Sequence, residues 1–199
     1  MKKIPTLFIR KFENGKVVGI TPEVTPGMEW VLKGEGHATV KHDGACCAII
    51  NYLFYKRYDA KKGKPVPEGA IKCQDAPDPV TGHFPCWVRC QKDDPADKWF
   101  FEAISNYSDR MMRQHKEVEN GTYEAIGPHF NGNPYELKTD TLVKHGNDII
   151  IHGEPRTFEE IKEFLRVHKI EGLVYWLCGE PMCKIKRTDF GFAWPPEDE

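Results

Sequence analysis

Only two stretches of this chain repeat apolar residues at helical spacing, and that scarcity limits the folds open to it. Between residues 95 and 118, Trp99, Phe100, Ala103, Ile104, Tyr107, Met111 and Met112 recur every three or four positions with charges between them. The spacing predicts an amphipathic helix packed on a sheet. A second helix starts at Thr157, whose hydroxyl can cap the first turn while Glu160 reaches back in a capping box. It runs through Ile161, Phe164 and Leu165 to His168. Elsewhere the chain breaks into short β-prone runs. Strands are expected at 121–126, 148–151, 172–177 and 183–187, and residues 35–58 read as a strand, a loop and a hairpin turning at Asn51-Tyr52. Helices and strands interleave without the regular alternation of a doubly wound sheet, so the expected class is α+β with antiparallel sheets.

With 199 residues, 40% of them hydrophobic, the chain can fill one sizeable core, or one core with a small lobe, but not two full domains. A single domain over 1–194 is expected, followed by a short acidic tail, 195–199. Residues 61–85 are dense in Pro, Gly, Asp and Lys, the composition of a long surface loop, and loops of that length in a compact domain are usually functional. The apolar start is cut by Pro5 and by Arg10-Lys11 before it could serve as a signal-peptide core, and no segment approaches membrane-spanning length. The reading is a cytoplasmic protein with no membrane association. Seven cysteines, an odd number, are then expected to be reduced and mostly buried. His83, Cys86 and Cys90 are zinc-ligand types but lack a paired second knuckle.

Charge narrows the function classes. Lys and Arg number 28 against 30 Asp and Glu, a formal net charge of -2, so the whole chain offers no field that would draw in a polyanion. Any nucleic-acid contact has to be local. Basic residues cluster at Lys56, Arg57, Lys61, Lys62 and Lys64, and again at Lys184, Lys186 and Arg187. No G-x-x-x-x-G-K-[ST] loop occurs, and Gly34-Glu35-Gly36 lacks the third glycine of a dinucleotide fingerprint, so phosphate must be handled by other means.

Lys41-His42-Asp43-Gly44 sets a lysine between an apolar strand and a turn glycine, with an acid two residues on. Three further segments follow in order: Tyr123-Glu124-Ala125-Ile126-Gly127, Glu171-Gly172-Leu173-Val174-Tyr175, and Lys184-Ile185-Lys186. Together they resemble motifs I, III, IV and V of the covalent nucleotidyltransferases, the superfamily of ATP-dependent ligases and mRNA capping enzymes. The likeness is closer to the small ATP-dependent 5′-to-3′ RNA ligase family. It is carried by Gly34-Glu35-Gly36, Cys46-Cys47, Tyr55-Lys56-Arg57-Tyr58-Asp59, the Thr81-Gly82-His83 loop, and Ile126-Gly127-Pro128 followed by Asn131-Gly132-Asn133-Pro134. It extends over nearly the whole chain.

That resemblance implies a nucleotidyltransferase (ATP-grasp-like ligase adenylation) domain of antiparallel sheets flanked by helices, a minimal catalytic core with no separate C-terminal OB domain. It implies Lys41 as the catalytic nucleophile that forms lysyl-AMP, with ATP and Mg²⁺ or Mn²⁺ as cofactors. Asp43, Gly44, Arg57, Glu124, Lys184 and Lys186 would contact the nucleotide, and Glu171 and Glu124 would serve the metal. The partners implied are RNA ends, a 5′-phosphate and a 3′-hydroxyl, and no protein partner. The chemistry suits these residue types. A lysine amine attacks phosphorus only when unprotonated, while its reference pKa near 10.4 leaves it almost wholly charged. Convergent cations at Lys184 and Lys186, and a bound metal, would favour the neutral amine of Lys41. Many superfamily members carry an acid just before the nucleophile and an arginine soon after the glycine, where this chain has Thr39, Val40, Ala45 and Cys46. A capping-type guanylyltransferase, a DNA-nick ligase, and a catalytically silent module that binds nucleotide or RNA ends are the competing readings.

Overall fold

In the computed structural model, residues 1–79, 81–150 and 153–196 are described. They form strands β1 (Phe8–Glu13), β2 (Lys16–Val24), β3 (His37–Lys41), β4 (Ala45–Ile50), β5 (Leu53–Ala60), β6 (Ile71–Lys72) and β7 (Phe84–Arg89), then helix α1 (Lys98–Arg113). Strands β8 (Gly121–Ile126) and β9 (Thr141–Lys144), helix α2 (Phe158–Val167), and strands β10 (Gly172–Leu177) and β11 (Glu180–Lys186) complete the order. The chain folds as two compact units, one of Met1–Lys3 with Asp43–His145, the other of Ile4–His42 with Gly146–Glu199. The Lys41-His42-Asp43-Gly44 motif therefore spans a unit boundary.

The first unit is a six-stranded antiparallel sheet in the order β6-β7-β5-β4-β8-β9. Asn51 and Tyr52 both take positive φ, 50° and 62°, and close the β4–β5 hairpin at the position read from the sequence. The alternation of the strands sends Cys47, Ile49, Tyr123, Ala125 and Leu142 to one face, where Ala103 and Tyr107 of α1 close a core. Met112, assigned to the apolar stripe, is 72% exposed, because five positions after Tyr107 it turns to the opposite face of α1, whereas Met111 packs on the core.

The second unit holds a two-stranded hairpin, β1-β2, and a three-stranded antiparallel sheet in the order β11-β10-β3. Its core joins Leu173, Tyr175, Ala38, Cys183 and Ile185 from the sheet to Ile161 and Leu165, the fully buried pair on α2. The β1-β2 hairpin was not anticipated, although Asn14-Gly15 turns it with φ of 49° and 74°. At 148–151 the expected strand is only an isolated bridge, Thr39 with Ile149, and Ile151 lies outside the described residues. The bridge is flanked by hydrogen bonds from Val40 N–H to the Asp148 carbonyl and from Ile150 N–H to the Ala38 carbonyl. The segment thus runs beside β3 without forming a ladder of its own. Of the acidic tail, residues 197–199 also lie outside the described residues.

Both ends of α2 are held. At the N-terminus, Thr157 accepts from the Glu160 N–H while the Glu160 carboxylate accepts from the Thr157 and Arg156 N–H groups. At the C-terminus, the buried Arg187 guanidinium donates to the Leu165 and His168 carbonyls, which the helix itself leaves without partners. Thr157→Ala should lower unfolding free energy by about 1 kcal/mol in urea titrations. The backbone donors hold the Glu160 carboxyl below its ordinary 4.5. Its contribution is therefore present above that pH and is lost as pH falls through the lowered value.

Candidate functional site

In the second unit, Gly172 of β10 stands opposite Lys41 on one side and Lys186 on the other, and Val174 stands opposite Thr39 and Lys184. Directly opposed residues, and residues two apart on a strand, share a face. Lys41, Lys184, Lys186, Thr39, His37 and Trp176 therefore line one face of this sheet, and the core residues line the other. Trp176 donates from Nε1 to Thr39 Oγ1 at 2.9 Å, and its ring lies parallel to His37 with centroids 6.4 Å apart. A Cβ at position 172 would fall 2.1 Å from the Ile185 carbonyl oxygen, so only glycine lets β11 approach β10 in this register.

Glu171 immediately precedes this row. It is 3% exposed, and its carboxylate is shared: Oε2 accepts from Lys41 Nζ at 2.5 Å and Oε1 from Lys186 Nζ at 2.5 Å. Its carbonyl accepts from the Arg187 N–H at 2.8 Å, which ties the end of β11 to the same residue. A buried carboxylate requires partners of this kind, because desolvation would otherwise favour its neutral form. Glu171 is thus neither a helix-end surface charge nor a free carboxylate. Among the described residues no carboxylate pairs with the Lys184 amine. Burial, followed by the charges of Lys41, Lys186 and Arg10, holds the Lys184 amine down to about 8 from its ordinary 10.5. Three amines on one sheet face, two of them sharing the single carboxylate at its end, leave an excess of positive charge suited to phosphate oxygens.

The first unit holds the other expected residues. Gly44 was assigned to a turn that needs glycine for its backbone freedom, but the reason for glycine is contact. A Cβ there would lie 2.1 Å from the Ala125 carbonyl oxygen and 2.8 Å from the Ile126 side chain. Asn131 Nδ2 donates both to Asp43 Oδ1 at 2.9 Å and to the Gly44 carbonyl at 2.8 Å, and the Asp43 N–H donates to the Tyr135 hydroxyl at 2.5 Å. Neither Asn131 nor Tyr135 is among the site residues expected from the sequence. The signal available was the Asn-Gly-Asn-Pro run, whose Asn131 and Asn133 take the positive φ typical of asparagine.

Glu124 on β8 pairs across the ladder with Cys46 on β4. Its carboxylate lies 3.0 Å from His145 Nε2, while His145 Nδ1 lies 3.0 Å from the Thr122 hydroxyl. Burial, with the Glu124 charge second, pushes the Cys46 thiol up to about 12. Arg57 bonds Asp59 at 2.7 Å and the Met1 carbonyl at 2.7 Å. Lys56 pairs with the buried Asp97 at 2.5 Å, so in this basic run Lys61, Lys62 and Lys64 are the exposed members. All seven cysteines are free thiols, four of them buried, as expected. Among the described residues His83, Cys86 and Cys90 do not gather into a metal-sized group; Cys46, Glu124 and His145 do. The physical reason is β7. An extended strand separates residues four apart by roughly 13 Å, too far to share an ion. Nor is any helix among the described residues long and apolar enough to cross a membrane.

Comparison with known proteins points to one family. A family model described as RNA ligase 1 matches residues 64–199, a span holding Glu124, Glu171, Lys184 and Lys186. The chain is 26% identical to RNA ligase 1 of Rattus norvegicus over 81% of its own length and 69% of that protein. It is 27% identical to RNA ligase 1 of Mus musculus over 81% and 68%. Against RNA ligase 1 of Danio rerio it is 27% identical over 71% and 48%.

The depressed Lys184 amine has a direct test. Acylation of Lys184, followed residue by residue with mass spectrometry, should rise with a midpoint near pH 8, against about 10.4 for exposed lysines. Between those values the unfolded chain binds a proton that the folded chain does not. Stability should therefore rise with pH across that window, and Lys184→Met should flatten the rise.

Proposed function

The chain belongs to the RNA ligase 1 family, and on that premise we propose that it is an ATP-dependent RNA ligase of nucleotidyltransferase fold with Lys41 as its adenylyl acceptor. The observation that carries this reading is the Glu171 carboxylate shared between Lys41 and Lys186, with Lys184 on the same sheet face.

The chemistry follows from that arrangement. Lys41 must lose a proton before its amine can attack the α-phosphorus of ATP, and the Glu171 oxygen 2.5 Å away is the nearest acceptor. A nitrogen–phosphorus bond forms to Lys41 as the bond to pyrophosphate breaks. Lys184 and Lys186 neutralise charge that spreads over the phosphate oxygens, the dominant requirement in phosphoryl transfer. A 5′-phosphate oxygen of RNA then attacks the same phosphorus and frees Lys41. Finally a 3′-hydroxyl attacks the 5′-phosphate, and AMP leaves.

Asp43, Gly44, Arg57 and Glu124 serve as further nucleotide contacts, and Lys61, Lys62 and Lys64 offer an exposed basic surface to RNA. Mg²⁺ or Mn²⁺, which seek oxygen, would draw on the carboxylate of Glu171 or of Glu124 and neutralise charge on the departing pyrophosphate. In the arrangement described, both Glu171 oxygens are engaged by ammonium groups. Direct loading of a cation there requires Lys41 or Lys186 to move.

Incubation with α-phosphate-labelled ATP or GTP and either metal should give denaturation-stable label from ATP on the wild-type chain and none on Lys41→Ala. Glu171→Gln should slow labelling by about 100-fold or more. Label from GTP alone would favour the capping-type reaction. Absence of label from either nucleotide, in folded protein shown by mass to carry no AMP, would favour the silent binding module. Once labelled, transfer to nicked DNA in preference to RNA ends would favour the nick ligase.

A further inference from the structure

Three different donor types converge on the face of the six-stranded sheet opposite α1. Cys46 and Glu124 are cross-strand partners on β4 and β8, and His145 follows β9. The His145 N–H bonds the Thr122 carbonyl at 3.0 Å, so the residue is locked to β8 through its backbone as well as its ring. The Cys46 sulfur, a Glu124 oxygen and a His145 ring nitrogen lie within 4.8 Å of one another, and all three side chains are partly buried. A tetrahedral ion with ordinary zinc–sulfur and zinc–nitrogen bonds spaces such donors about 3.5 Å apart. Glu124 and His145 already stand 3.0 Å apart, and the separations to the Cys46 sulfur, at most 4.8 Å, are within reach of small side-chain rotations.

We propose that Cys46, Glu124 and His145 form a binding site for a thiophilic divalent cation, with Zn²⁺ the ion that fits. The donor set decides the metal. Thiolate, imidazole and carboxylate suit Zn²⁺, whereas Mg²⁺ requires oxygen ligands in near-octahedral order. Thr122 supplies the outer contact, since its hydroxyl against Nδ1 orients the ring with Nε2 toward Glu124. On binding, the ion forms a bond to the Cys46 sulfur, and the thiol proton passes to solvent. Three protein ligands leave the fourth position open to water or to an oxygen of a bound ligand. The site shares Glu124 with the ligation reading but does not rest on it, because the metal binds in the absence of any nucleotide.

The test uses the full chain, stripped of metal, reduced, and titrated with Co²⁺ as the visible substitute for Zn²⁺. One Co²⁺ per chain is expected, with thiolate-to-cobalt charge-transfer absorption that Zn²⁺ abolishes and excess Mg²⁺ does not. Cys46→Ser should lose that absorption with the other six cysteines in place, and His145→Gln should weaken binding by about 100-fold. Zinc-edge X-ray absorption on the unmutated chain, which does not depend on a variant folding, should give one sulfur and three lighter ligands. Absence of thiolate absorption, its persistence unchanged in Cys46→Ser, or two or more sulfurs at the zinc edge would overturn the site. Failure of adenylylation would leave each of these readouts untouched.

Discussion

A buried carboxylate is costly unless it is paired or hydrogen-bonded, and at Glu171 two lysines from different strands supply the partners. Much of the second unit is arranged to make that meeting possible. Gly172 admits the β11 backbone closely enough to bring Lys186 into the row, and β3 ends on Lys41 across the same glycine. Arg187, next in the chain after Lys186, caps the end of α2 and donates its N–H to Glu171. Helix, loop and sheet thus agree on one position for one side chain. Removing either lysine would leave a charge that this environment solvates poorly.

The same economy of position governs Lys184. It sits two residues before Lys186, so strand alternation obliges it to face the same way, toward cations and away from the core formed by Cys183 and Ile185. Its depressed amine is the consequence of geometry on β11 combined with burial. An RNA ligase needs positive charge where phosphates collect, and clustering of cations with one carboxylate gives that charge a defined place. In the first unit the corresponding discipline is steric. Gly44 is pressed against β8, and Asn131 and Tyr135 bind the backbone and side chain around it.

Much of the architecture was legible because its signals are local. Thr157 with Glu160, the apolar spacing of α1, the runs that became β8 and β10, and the Asn51-Tyr52 turn each draw on interactions within a few residues. The β1-β2 hairpin was missed, despite Asn14-Gly15 at its turn, because Ile9, Phe12, Val17 and Val18 stay exposed and blur the alternation that marks a half-buried strand. Residues 148–150 carry strand-like composition but meet β3 at one bridge only, an outcome settled by β3 and not by the segment itself.

The order of motifs along the chain by itself singled out candidates: Lys41, Glu124, Glu171, Lys184 and Lys186 are chemically apt wherever they fall. Tertiary structure alone decided their company. It shared Glu171 between two lysines, set Glu124 beside His145 and Cys46, gave Arg57 to Asp59, and kept His83, Cys86 and Cys90 from forming a metal group. The reason is separation in sequence. Lys41 and Glu171 are 130 residues apart, and only strand register, which depends on the packing of the whole sheet, can bring such groups within 2.5 Å.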